Sequence, residues 1–200
     1  MTGFIQEVLR DTLADRAMIR RRLEAFDRAL LVEDSATRAL ERWCEGHGVT
    51  PPARLVAEKA GEIFFAQPDD ALFFLKPPEG EQMRCRRVRL HCAGLVLSSA
   101  ENWYVASRLT HGMNECLDTS DEPFGRVVAP LAFTRVTARR EWLWSWPFSD
   151  APPTGRQIVA PAEILRHVAT LFRSDGAPFS LVRETYTCEI PGVCASAMDA

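Results

Sequence analysis

Apolar residues recur at steps of three and four from residue 3 to residue 31, through Phe4, Ile5, Val8, Leu9, Leu13, Met18, Ile19, Leu23, Phe26, Leu30 and Leu31. That is the period of an amphipathic helix or a helical pair. Asp34 and Ser35 interrupt it and can cap a further helix through Ala36, Leu40 and Trp43, which Gly46, His47 and Gly48 would stop. Residues 3 to 46 are therefore expected to form an N-terminal helical segment.

After Pro51 and Pro52 the texture changes. Short apolar runs, Ile63-Phe64-Phe65 and Leu72-Phe73-Phe74-Leu75, are separated by Pro, Gly and Asp, as strands separated by turns would be. Residues 83 to 109 read as a long hairpin turning at Ala93-Gly94, with Val88, Leu90 and Cys92 alternating to one face. A short helix is expected over 110 to 120, a proline-flanked turn over 121 to 130, and a strand-rich stretch over 131 to 146. Trp142, Trp144 and Trp146 recur there at period two and read as core. The segment DAPPTGRQ has loop composition. Pro161 suits the first position of a helix through Ile164, Leu165, Val168, Leu171 and Phe172, closed by Asp175-Gly176. A last strand is expected in PFSLVRETYTCEI, and a mobile tail over 192 to 200.

Strands joined mostly by turns, with helices toward the ends, predict an α+β protein: an antiparallel β-sheet with flanking helices. With 46% hydrophobic residues, 200 residues suffice for one filled core and suggest a single domain over 1 to 200. Net charge is -3 with the basic residues dispersed, which argues against a nucleic-acid partner. No stretch approaches the roughly 20 apolar residues of a membrane span, and the N-terminus has no secretory pattern, so a cytoplasmic location is expected. The six cysteines never form a CxxC pair and are expected to be free thiols.

Signatures for dinucleotide, P-loop, serine-hydrolase and zinc-protease chemistry are missing from the sequence. His47, His91, His111 and His167 lack ligand spacing, so no metal is expected. The basic run Arg84, Arg86, Arg87, Arg89 fits either a solvated strand face or an anion clamp.

Four segments in order are similar to the chorismate lyase family: LLVEDSATRALE (30 to 41), RVRLHCAG with the second hairpin arm (87 to 109), EPFGRVVAP (122 to 130) and SLVRETYTCEIP (180 to 191). The resemblance implies the chorismate lyase-like fold around one small buried ligand site, with neither metal nor organic cofactor. It implies elimination of pyruvate from chorismate to give a hydroxybenzoate, with 4-hydroxybenzoate the expected product, in ubiquinone or aromatic secondary metabolism. The ring-carboxylate arginine falls on Arg87, or on Arg86 if the register slips by one. The family glutamate falls on Glu184, and carboxylate-binding backbone amides fall on Ala36 and Phe124.

These residue types suit that chemistry. An arginine fork binds a carboxylate bidentately and stays charged when enclosed. Glu184, with Val182 and Tyr186 as same-face neighbours, could hold a proton as general acid, although it could equally face solvent. Gly125 allows close backbone approach to a ligand, and Arg126 could either hold a second carboxylate or brace the turn from outside. Two alternatives stay open: a lyase acting on a chorismate relative, and a non-catalytic domain of the same fold that binds a small aromatic carboxylate. Effector-binding domains of GntR-type repressors are of the second kind. Against that reading stand Glu and Asp interspersed with Arg through 3 to 31, which do not make a basic recognition helix.

Overall fold

Residues 8–60 and 68–194 are described by the computed structural model. A two-residue strand β1 (Leu9–Arg10) leads into helix α1 (Leu13–Val32), whose first turn is capped by Thr12 accepting from the Asp15 amide. Ile19, Leu23, Phe26 and Leu30, spaced by four, three and four, form its buried stripe. Helix α2 (Ala36–Glu45) follows, with Ser35 as its cap. The chain continues through β2 (Val56–Lys59), α3 (Asp69–Leu75), β3 (Arg84–Cys92), β4 (Leu95–Tyr104), α4 (His111–Thr119), the single turn α5 (Phe124–Val127), β5 (Thr134–Trp142), β6 (Gln157–Ile158), β7 (Glu163–Phe172) and β8 (Pro178–Thr187).

Six of these strands form one antiparallel sheet in the order β2-β3-β4-β8-β7-β5, while β1 pairs with β6. The β3–β4 turn at Ala93 and Gly94 has φ of 51° and 82°, the left-handed geometry that a two-residue hairpin turn demands. Helices α1 and α2 cover one face of the sheet, burying Phe26, Leu30 and Leu40 with Val88, Leu90, Leu165 and Tyr186. On the opposite face α3 buries Ala71 and Leu75 against Trp103, Val168 and Leu181. The antiparallel α+β class expected from the sequence is the one observed. Among the described residues no helix is long and apolar enough to cross a membrane.

Four local expectations are corrected. Residues 163–172 form strand β7, not a helix. This inner strand is covered on both faces, so its apolar residues run on almost without alternation and imitate a helical stripe. Leu72-Phe73-Phe74-Leu75 lies in helix α3, not a strand; Asp69 and Asp70 favour its first turn, and only Ala71 and Leu75, four apart, are buried. Strand β5 ends at Trp142, so the tryptophan stripe continues into a turn where Trp144 and Trp146 stack 5.5 Å apart. Cys188 and Cys194 are joined by a disulfide rather than free, because the turns after β8 bring their Cα atoms to 5.5 Å; Cys44, Cys85, Cys92 and Cys116 are free. Phe4, Ile5, the Ile63-Phe64-Phe65 run and the end of the tail, 195–200, lie outside the described residues.

One charged contact holds α1 to the sheet. Asp27, 4% exposed, accepts from Arg140 Nη1 at 2.8 Å and lies 2.8 Å from Nε2 of the fully buried His167. The sequence showed no acidic partner for His167 because Asp27 is 140 positions away. Burial pushes the Asp27 carboxyl up, but His167 and Arg140 outweigh it and hold it below the usual aspartate range. A depressed folded-state pKa means that this contact contributes fully above the unfolded value and is lost as pH falls through the folded one. Asp27→Ala should therefore cost about 3 kcal/mol in urea unfolding at neutral pH, since it strands a buried histidine and an arginine. Asp27→Asn should flatten the fall of melting temperature on acidification below roughly pH 4.

Candidate functional site

A cavity lies between the inner face of the sheet, the start of α2 and the α5 turn. Val88 and Leu90 of β3, Ala100 and Asn102 of β4, Val182 and Glu184 of β8, Leu171 of β7 and Arg135 of β5 line it from the sheet. Ser35, Ala36 and Thr37 close it from α2, and Phe124, Gly125 and Phe133 from the other side. Gly125 is required there: a Cβ would stand 2.8 Å from Ser35 Oγ and 3.0 Å from Thr37 Oγ1. The two helix starts thus meet at the cavity wall, where first-turn amides have no partner within their own helix. The cavity holds about 30 Å³, room for about two waters, so a larger ligand would have to displace side chains of its lining.

At its base is a buried ion pair. Arg135, with 3% of its side chain exposed, places Nη2 2.8 Å from Glu184 Oε2 and donates from Nη1 to Thr137 Oγ1 at 2.9 Å. The Tyr186 hydroxyl donates to the same Glu184 oxygen at 3.0 Å. Burial opposes the Arg135 charge, but Glu184 more than compensates and raises its pKa. Burial likewise drives the Tyr186 phenol far up, so it stays a donor. Arg135 Nε is buried with no hydrogen-bond partner, one donor more than the protein uses. The Arg135 backbone amide donates to Asp34 Oδ1 at 3.0 Å, which ties the rim of the sheet to the loop that starts α2.

The structure brings together four of the residues singled out in the sequence, Ala36, Phe124, Gly125 and Glu184. Three arginines stand apart from them. Arg87 lies on the opposite face of the sheet, 3.0 Å from Glu101. Arg86 is on the inner face, but its guanidinium donates to the Glu122 and Ser120 carbonyls at 2.8 and 2.9 Å; there it clamps the loop that presents Phe124, and burial draws its pKa down. Arg126 braces that turn from outside, paired with Glu41 and Glu122. Arg135, the arginine that reaches the cavity, was not singled out. Its neighbour Val136 is 55% exposed while the arginine points inward, which reverses the usual alternation and hides the residue from a pattern-based reading.

No protein-family model matches the chain. The uncharacterized protein y4mC of Sinorhizobium fredii is 38% identical over 179 residues, spanning 82% of this chain and 73% of y4mC. The chain belongs to the y4mC family. Among solved structures, this y4mC-family protein is similar to PhnF from Mycobacterium smegmatis (TM-score 0.52, 11% identity), over 79% of this chain and 65% of that one. It is similar to the separate effector domain of PhnF over 77% of this chain and 88% of the domain, with TM-score 0.50 and 11% identity. The ligand-binding domain of a putative GntR-family transcriptional regulator from Bordetella bronchiseptica matches at TM-score 0.42 and 17% identity, over 66% and 82% of the two chains.

At such identities the likeness establishes the fold alone, and that fold is chorismate lyase-like. The expected lyase activity on chorismate is overturned. The separate PhnF domain that shares the fold is an effector domain, not a lyase. Within the y4mC-family chain the two side chains assigned to the reaction lie on opposite faces of the sheet, and the glutamate oxygen that would give a proton already accepts from Arg135 and Tyr186.

Glu184→Ala should destabilise the protein by about 3–5 kcal/mol, because it leaves the Arg135 charge buried and unpaired. The double variant Arg135→Met, Glu184→Leu should recover most of that loss in the same urea titration, since it removes both charges at similar volume. Recovery of less than half would mean that the pair is not acting as one unit.

Proposed function

We propose that the chain is a non-catalytic small-molecule-binding domain, and that its ligand is a small, flat organic acid such as an aromatic carboxylate. The observation that carries this is Arg135, which lines the cavity in a buried ion pair and keeps one donor, Nε, buried and unpartnered. A ligand carboxylate would satisfy it, with the amides at Ala36, Phe124 and Gly125 adding neutral donors at the two helix starts. Glu184 would accept from a ligand hydroxyl. The apolar walls of Val88, Leu90, Phe133 and Val182 would bury the ring. The effector domain of PhnF supports this through shared fold. The domain would work in the cytoplasm with no metal or organic cofactor.

Titration calorimetry and thermal shift with 4-hydroxybenzoate and related aromatic acids test the proposal. A binder at about 100 times its dissociation constant should stabilise the protein by about 2.7 kcal/mol. Arg135→Met should abolish that shift, whereas Arg87→Ala, on the other face, should leave it intact. A shift that survives Arg135→Met but not Arg87→Ala would overturn the proposed site, and pyruvate released from chorismate by the purified chain would overturn the non-catalytic reading.

A further inference from the structure

On the face of the sheet away from that cavity lies a second, larger hollow. This groove encloses about 460 Å³, and short side chains form its floor: Ser99, Ala100 and Thr185, with Val168 beside them. Its walls are charged. Arg87 and Arg183 each reach Glu101 at 3.0 Å, while Arg166 lies 3.4 Å from Glu141 and 3.7 Å from Glu163. Helix α3 stands at the rim, where Asp70 is 3.6 Å from Arg139 and 4.0 Å from Arg183.

The charges decide what fits. Among the described residues the four arginines 87, 139, 166 and 183 are matched by Asp70, Glu101, Glu141 and Glu163, so those lining the groove and its rim carry no net formal charge. A polyanion would find each cation already facing a carboxylate, which leaves no field to attract it. A surface of alternating signs instead suits a partner with the same alternation, because each arginine can meet a carboxylate across the contact.

The same face offers something to fill the groove. The outer side of α3 presents Leu72, Phe73 and Phe74, which are 41%, 69% and 38% exposed, the two rings packed edge to face 5.2 Å apart. Aromatic side chains and arginine are the residue types that interfaces favour, and a contiguous exposed aromatic cluster is a usual mark of one. A projecting cluster and a hollow set side by side on one surface meet the geometric demand of a two-fold contact, in which each copy fills the other. We propose that the chain pairs with a second copy of itself through this face, Phe73 and Phe74 of each copy seated in the other's groove. The inner cavity takes no part, so this pairing and ligand binding stand or fall separately.

Sedimentation equilibrium of the purified chain at micromolar concentration tests the pairing. The wild type should sediment at twice its 22.5 kDa chain mass. The double variant Phe73→Asp, Phe74→Asp should run as a single chain while keeping its far-ultraviolet spectrum. Arg139→Glu, at a side chain 63% exposed, should weaken the dimer at least tenfold and decides the matter if the aspartates unfold α3. A wild type that stays at single-chain mass up to high micromolar concentration overturns the proposal. So does a dimer whose dissociation constant neither variant changes.

Discussion

Burying one arginine and one glutamate side by side on the inner face of a sheet constrains what surrounds them. Each ion loses several kcal/mol of hydration on leaving water, and the pair is tolerable only in good geometry with its remaining donors and acceptors engaged. Glu184 meets that demand by accepting from Arg135 and Tyr186 together, and Arg135 meets all but one part of it by reaching Thr137 as well, its Nε being left without a partner. The strands must hold register for these atoms to meet, since a slip of one residue would send Glu184 to the other face. Helices α1 and α2 must cover the pair, or water would weaken it. The Asp27 contact with His167 and Arg140 secures the first of those helices, and Asp34 joins the loop before the second to the Arg135 backbone.

Those features that local chemistry determines were legible in the sequence. The hairpin turn at Ala93-Gly94 needs left-handed backbone, and the α2 cap needs a side-chain oxygen at Ser35. The resemblance to the chorismate lyase family added the fold and a cavity containing Ala36, Phe124 and Glu184, but also a reaction that had to be withdrawn. Features that depend on what covers a segment were not legible. Strand β7 is buried on both faces and so loses the alternation that identifies a strand, while α3 buries only two of its residues and so loses the stripe that identifies a helix. The choice between Arg86 and Arg87 was a question of parity along β3, and neither of them enters the cavity. Arg135 comes from another strand, whose outward valine conceals its direction.

The two faces of the sheet solve the burial of charge in different ways. Inside, the Arg135–Glu184 pair and the Asp27–His167 contact are enclosed with few partners, and each hydrogen bond matters. Outside, the arginines and carboxylates sit in a half-open groove where solvent screens them, so any single pair contributes little to the stability of the single chain. That is why a change at Glu184 and a change at Glu101 are not comparable, although each glutamate faces an arginine.

Arg135 belongs to β5, which among the described residues ends the sheet and is hydrogen-bonded to a strand on one side only. The positive charge of the cavity is therefore carried by the segment with half a ladder, while its negative partner sits on β8, held from both sides. Separating the two moves the rim before it moves the centre. Any compound that draws Arg135 toward itself would register first as altered amide exchange along Thr134–Trp142 and in the loop at Asp34, leaving the inner strands β4 and β8 protected.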